Sequence, residues 1–583
     1  MKRYKFLYVL MLIIYSVSFS QRQDYNFITG YDSFNPGSDS LIGTSLFSFD
    51  NETLSLKKFL VEANFRRSSS FISNPDGKLI YYTDGFRVWG EDHRLVPGLE
   101  ELNRDNYFWN SSTGFNVAQQ IIILPNEPYY NIVYTFFDKP VADTIIRPNI
   151  LRSTLISKEG ITTKIHHKDL NVDTNRYSFG MLTATRHANG RDWWLIAPLM
   201  YSPDLMVYII ENNKISLHHR EKLDLPSASN GTGTTCFSPD GSVYASVNFY
   251  SIFKTGGILS LYDFDRCNGK IQNKKVALLT DWGGTSGLAF SSNNKYLYYN
   301  TTWSLFRINT SDSNLENNLI RIDSANAKVD DPFACVFGFM YLAPDGKIYM
   351  TSAGPLNCLS VIDYPDEDDI SQIGWRRDGI RIPTYNARGL TNIPYIRLGP
   401  ADGTECDSLG LNSFPLARFR FEIDTQNNGK VRFVNLSDYK PKQFTWSFDD
   451  GSFSSEKSPY KIYNTTGNYN VCLTAVNEFG SDKTCKSVDI ILTNKSKDLN
   501  PINNNITVYY EKNAIRIIRK NNSISELLQL TISNISGQIL YKSLIEEEKT
   551  LAQINSLISG IYFYQIFNTS KVLDIGKIVI LKE

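Results

Sequence analysis

One local pattern recurs between residues 70 and 400 and constrains the fold more than anything else in the chain. An apolar strand meets a Pro-Asp-Gly or Asn-Asn turn, and a Tyr-rich strand runs back. Clear copies occupy 71–82, 237–244, 290–299 and 342–349, and weaker ones occupy 124–134 and 187–194. Gly, Asn and Asp tolerate the positive φ that tight hairpins demand, so each copy predicts a hairpin. The turns fall at 76, 126, 190, 240, 293 and 345, with spacings of 50, 64, 50, 53 and 52 residues. A period of this length, with two or more strands per copy, predicts β-propeller blades. A seventh blade can be assembled from both ends: 389–396 as its inner strand, 45–49 and 53–56 as outer strands. Seven blades are expected, with six or eight open; two stacked β-sandwiches are the alternative. The aromatic content of 13% suits strands throughout and an all-β chain.

After Gly399-Pro400 the period changes. Short alternating strands between 413 and 493 predict an immunoglobulin-like sandwich, with Trp446 and Phe448 facing inward and Asp449-Asp450-Gly451 making a sharp turn. A second small sandwich is expected at 505–583, with one hairpin turning at Ser536-Gly537 and a bend at Gly560. The segments then read as a signal peptide at 1–20, a propeller at 21–405, a linker at 406–412, a sandwich at 413–493, a linker at 494–504 and a final module at 505–583.

Three resemblances attach to these segments. The propeller resembles that of large secreted surface proteins associated with bacterial gliding motility. The carriers are 77–85 with Val88-Trp89, 262–267 and 342–349, and the resemblance implies a binding or structural platform without assigned catalysis. The first sandwich resembles the PKD domain through Trp446, Phe448, Asp450 and Gly451. Ser447 and Asp449 stand where that family has Asp and Gly. This implies a spacer or a module for contact with protein or glycan. The last module resembles the type A C-terminal sorting domain of the type IX secretion system through Gly537, Gly560, Tyr562 and Lys577 in their local strings. That implies export by the type IX machinery, followed by release or attachment at the cell surface.

The amino terminus agrees with export. Lys2, Arg3 and Lys5 precede an apolar run at 6–17, and Ser18-Phe19-Ser20 sets cleavage between Ser20 and Gln21. The run is short of the roughly 20 residues of a membrane span, and no later stretch is long enough, so no transmembrane helix is expected in the mature chain. Seven Cys in an exported chain permit disulfides. Cys472 and Cys485 flank a hairpin tip and are expected to pair. Cys236 with Cys267 and Cys335 with Cys358 are further candidates by proximity, and Cys406 is unassigned.

Recognisable chemistry is scarce. With 60 basic and 60 acidic residues the net charge is zero, which offers no field for nucleic acid. There is no CxxC, HExxH or phosphate loop, and Gly284-Thr-Ser-Gly287 is one residue short of a nucleophile elbow. The pairs His166-His167 and His218-His219 lie on strands, where neighbours face opposite ways, so neither is expected to chelate. The acidic run Asp366-Glu-Asp-Asp369 is a candidate calcium loop, set against a plain solvated loop. Trp109, Trp193, Trp194, Trp282 and Trp303 are candidate contact aromatics at the channel mouth. No catalytic, cofactor or metal residue is assigned. The function expected is a non-catalytic secreted or cell-surface binding protein whose partner is an extracellular protein or glycan. The alternative is a propeller hydrolase acting on polysaccharide or peptide.

Overall fold

The computed structural model describes residues 21–580 except 32–40, 66–67, 103–118, 127–128, 138–148, 160–161, 171–176, 179, 201, 224–232, 250–256, 280–286, 326–336, 353, 387–388, 425–428, 493–505, 512–513, 520–527, 535–537, 546–548, 554–556, 558–559 and 568–571. The Ser20 cleavage position, Gly537, Trp109, Trp282, Cys335 and the 284–286 string lie outside the described residues. The chain divides into two compact units, Met1–Ile491 and Leu492–Glu583.

The first unit is built on a propeller of seven blades among the described residues. Blade 1 starts at Ser68–Ser73, blade 2 at Ile121–Asn126, blade 3 at Thr183–Arg186, blade 4 at Gly233–Phe237, blade 5 at Gly287–Phe290 and blade 6 at Phe337–Leu342. Blades 2 to 6 are four-stranded antiparallel sheets in sequential order. The inner strands of blades 1 and 3 to 6 lead into the turns expected from their sequences, while the blade 2 turn at 127–128 lies outside the described residues. At Gly77, Gly190, Gly241 and Gly346 φ lies between +71° and +89°, the region a side chain rarely enters. At the fifth turn Asn294 takes that place with φ 63°. The faces between blades are filled by aliphatic and aromatic side chains, with Tyr82, Tyr134, Trp193, Tyr208, Tyr299 and Tyr349 essentially buried.

Blade 7 closes the ring from both ends of the sequence. Its sheet is Asn26–Tyr31, Gly43–Asp50 and Thr53–Phe59. Leu390–Thr391 takes the inner position. It pairs in parallel with Ser68 and Ser69 of blade 1. Hydroxyl bonds from Thr29 to the Gly389 carbonyl and from Thr391 to the Ile28 carbonyl hold it to blade 7. One detail differs from the sequence expectation: this inner strand ends at Thr391, not at Ile396. The chain then leaves the blade and crosses the axial channel. The Asn392 amide donates to the carbonyls of Ile121 at 3.0 Å and Leu182 at 2.9 Å, in and next to the inner strands of blades 2 and 3. Ile396 is buried among side chains of blades 2 and 3. Gly399 accepts from Arg266 of blade 4. The channel is therefore occupied by the protein's own chain.

The sandwich pairs a sheet of Phe419–Ile423, Lys430–Asn435 and Tyr460–Ile462 with a sheet of Phe453–Ser454, Gln443–Ser447, Gly467–Asn477 and Gly480–Ile490. Trp446 is completely buried, stacks parallel to Phe448 and donates its indole N–H to the Glu456 carbonyl. Asp450 accepts from the Ser452 backbone and pairs with Lys461 at 2.6 Å, while Gly451 takes φ 83°. Asp449, where the PKD pattern has Gly, also has positive φ (61°), and its carboxylate accepts from the Asn470 N–H at 2.9 Å. A short polar side chain tolerates this backbone where most others do not.

Cys472 and Cys485 face each other across the hairpin Gly467–Asn477 and Gly480–Ile490 and are disulfide-bonded. With the partners 13 positions apart in sequence, chain-entropy arguments give about 3 kcal/mol. Replacing both with Ala is expected to lower stability by that order in denaturant titration. An unchanged midpoint would show that the bond restrains little. The other pairings proposed from proximity do not form. Cys267 bonds instead to Cys406, while Cys236 and Cys358 are free. The reason is topological: Cys267 sits in a blade 4 turn past which the chain leaving the channel runs, whereas Cys236 lies on an inner strand at the axis.

The second unit is a separate sandwich. Ile506–Glu511, Ala514–Arg519 and Lys549–Gln553 form one sheet. Ile539–Ile545, Leu528–Ser533, Gly560–Phe567 and Val572–Ile580 form the other. Its core contains Ile515, Ile517, Leu530, Ile532, Tyr562 and Ile566. Gly560 opens the strand that buries Tyr562, and Lys577 pairs through its backbone with Phe563. No described helix is long and apolar enough to cross a membrane.

Candidate functional site

The sandwich at 419–490 is fused to the propeller face that carries the repeated turns. At the centre of the junction, Arg418 bridges Glu52 of blade 7 (3.1 Å) and Asp438 of the sandwich (2.5 Å) and donates to the Pro344 carbonyl of blade 6. Lys486 reaches Glu52 and the Asn51 carbonyl from the sandwich side. Arg397, on the chain leaving the channel, pairs with Asp24 and with Asp438. Side chains of Arg397, Arg418, Asp24, Glu52 and Asp438 are all at most 7% exposed. Burial alone would raise the Glu52 carboxyl; Arg418 and Lys486 outweigh it and hold the group down to about 2. Burial also pulls the Lys486 ammonium below its ordinary value, with Glu52 opposing and Arg418 adding to the fall. The two partners thus shift in the directions expected of an anion crowded by two cations.

A second contact is made by the blade 6 loop after Ile362. Lys347 bridges Asp363 and Glu422, and Tyr364 also bonds Glu422. The Arg432 guanidinium lies 3.4 Å from the Tyr364 ring centroid and pairs with Glu367. The acidic run belongs to this contact. Its four carboxylates turn to four different sets of partners: Asp366 to Ser292 and Asn293, Glu367 to Arg432, Asp368 to Lys295 and Tyr296, and Asp369 to the Ser371 N–H.

Beside the junction the turn face and the sandwich leave a cleft of about 700 Å³. Its floor is the segment from Tyr395 to Thr404; Asp240, Arg266, Asn293 and Asn294 come from blade turns, and Asn435, the 437–442 loop, Phe444, Lys457 and Phe479 from the sandwich. Tyr439 and Lys440 both have positive φ, 65° and 51°, immediately before Pro441, a strained pair at the cleft wall. Asn477 braces them by donating to the Tyr439 carbonyl at 3.0 Å. Burial pulls the Arg266 guanidinium down to about 10, and its hydrogen bonds go to the carbonyls of Arg186, His187 and Gly399. A smaller cavity of about 110 Å³ remains at the axis between blades 3 to 6 and residues 391–395.

Other candidate residues fall elsewhere. Trp193 and Trp194 are wholly buried between blades and bond the carbonyls of Pro125 and Arg266, so they are structural; Trp303 is exposed. The expectation that His218 and His219 face opposite ways needs correction. A bulge between Val207 and Tyr208 breaks the alternation, leaves His218 without a register partner and brings the two Nδ1 atoms to 2.7 Å. At His166-His167 the register is regular. The cleft itself was missed by sequence reasoning, because no local signal brings residue 435 to residue 266.

Comparisons with known proteins bear on both carboxyl-terminal modules. Residues 417–492 match the family model of the PKD domain, and residues 500–581 match that of the secretion system C-terminal sorting domain. The chain carries a type IX sorting tail. It is accordingly a secreted or cell-surface-attached protein, handled by the type IX secretion machinery. No curated protein matches the chain. Among solved structures, the PKD1 domain of Vibrio anguillarum Epp is 28% identical over 100% of that chain and 14% of this one, with a TM-score of 0.13. The PKD1 domain of the Vibrio cholerae metalloprotease PrtV is 29% identical over 95% of that chain and 13% of this one, at 0.12. A proposed 6-phosphogluconolactonase from Bacteroides uniformis is 11% identical over 97% of that chain and 62% of this one, at 0.38.

Proposed function

We propose that the protein is a non-catalytic contact protein of the cell exterior, and that its binding surface is the cleft between the propeller and the PKD domain. The observation that carries this reading is the cleft itself. It is large, lined by polar and apolar groups together, and built from two modules locked together by buried ion pairs. Its carboxylates are committed elsewhere to a marked degree: Asp438 is held by Arg418 and Arg397, Glu478 by Lys442, and Asp240 by the serines of its own turn. Rigid juxtaposition of two surfaces suits recognition, because little ordering entropy is lost when a partner binds.

The test is a binding screen on the purified mature chain, against extracellular polysaccharides and surface proteins, with product release followed in the same wells. Retention of a partner without turnover is the expected result. Hydrolysis that disappears in Asp402→Asn would replace this reading with the hydrolase one.

A further inference from the structure

We infer that the cleft takes an acidic oligosaccharide, a chain of sugar rings bearing carboxylate or sulfate groups. The inference rests on the contact reading above and names its ligand class. Three observations support it. The first is charge. Lys440 and Lys457 are exposed at the cleft and have no ion pair among the described residues, and Arg266 bonds only backbone carbonyls. Arg397 matches Asp438 and Lys442 matches Glu478, and Asp240 and Asp402 stand against Arg266, Lys440 and Lys457, so one surplus positive charge faces the cleft. An anion therefore gains there what a neutral ligand does not.

The second is an unspent donor. Asn435 is 8% exposed; its Oδ1 accepts from the Ser437 N–H at 2.9 Å, while its Nδ2 has no partner. A buried N–H without an acceptor costs free energy that an incoming oxygen would recover. Across the same cleft Asp402 Oδ1 lacks a donor. A ligand that supplies both acceptor oxygens and hydroxyl donors satisfies both, and sugars do so at every ring. The third is shape. Phe444, Tyr439 and Phe479 are half-buried on the cleft wall, and flat rings beside polar groups favour pyranose faces over an extended peptide.

Calorimetry of the purified full-length chain with oligogalacturonides tests this, with neutral cello-oligosaccharides and polyglutamate as comparators. Binding of the oligogalacturonide alone, weakened by added salt and reduced about tenfold or more in Lys440→Ala/Lys457→Ala, supports it. Asn435→Asp keeps the Oδ1 acceptor and replaces the donor with a carboxylate, and the same loss is expected at a temperature where circular dichroism shows the variant folded, since a carboxylate at this buried position lowers the melting temperature. Equal binding of polyglutamate overturns it, because polyanion attraction would then suffice. Preference for the neutral glycan overturns the acidic class and leaves the contact reading standing. Oligogalacturonide binding indifferent to all three substitutions overturns the location. Failure to bind any of the three probes overturns the ligand class, and the wider screen above then decides the contact reading independently.

Discussion

Arg418→Met is expected to release the PKD domain from the propeller and to cost about 3–5 kcal/mol, the usual consequence of breaking a buried ion pair from one side. The substitution keeps most of the side-chain volume and removes a charge that touches Glu52, Asp438 and the Pro344 carbonyl at once. Glu52 is left with Lys486, and Asp438 with Arg397. Three carboxylates, Asp24 on Arg397 included, then share two cations in a buried junction, and separation of the modules is the cheapest way to rehydrate them. The expected readings are a second unfolding transition in denaturant and rapid proteolysis between residues 399 and 412. A single transition with the wild-type midpoint would mean that apolar contacts alone hold the junction.

Acid should imitate the substitution. Glu52 is held at about 2 in the folded protein against an ordinary value of 4.5. A depressed carboxylate contributes fully above its unfolded value and loses that contribution as pH falls toward its folded one. The junction should therefore be intact above about pH 4.5 and weaken between there and pH 2. Asp84 in blade 1 behaves oppositely. Burial raises it to about 6 against backbone N–H bonds from Phe86 and Arg87, so its ionisation costs stability as pH rises from 3.8 to 6. As pH falls, a probe in blade 1 should therefore gain stability between 6 and 3.8, and one at the junction should lose it between 4.5 and about 2.

What could be read from sequence divides along the range of the interaction. The turns at 76, 190, 240, 293 and 345 were legible because their chemistry is local: a residue that accepts positive φ sits where the chain must reverse. Trp446 and Phe448 were legible for the same reason, as was the Cys472–Cys485 register counted from a hairpin tip. Asn26–Tyr31 was not, since its hairpin partner follows without a Pro-Asp-Gly signal. Cys267–Cys406 was not, because 139 residues separate the partners and proximity in sequence pointed elsewhere. The cleft was least legible of all. Arg397, Arg418 and Arg420 look like ordinary surface charges in a neutral chain, and only the fold shows them buried. Through these residues the PKD domain is docked on the propeller.

The channel crossing provides the other large effect. Asn392 is 6% exposed, and its amide supplies hydrogen bonds to carbonyls at blades 2 and 3 while its own backbone N–H bonds Ser69 of blade 1 and its carbonyl accepts from Ser70. One residue thus ties the closing segment to three blades. Asn392→Ala leaves two buried carbonyls without donors, at about 1–3 kcal/mol each, so a loss of about 2–6 kcal/mol is expected in denaturant titration. Asn392→Asp should be worse than Asn392→Gln, because a carboxylate facing two carbonyls is repelled where a longer amide can still donate. The same geometry makes the propeller dependent on sequence beyond its last blade. A chain ending at residue 388 lacks the inner strand of blade 7 and the crossing, and should bind hydrophobic dye and aggregate. One ending at 405 keeps both. Equal stability of the two fragments would show that the ring closes through the packing of blade 6 on blade 7 alone, and that the crossing segment merely fills space.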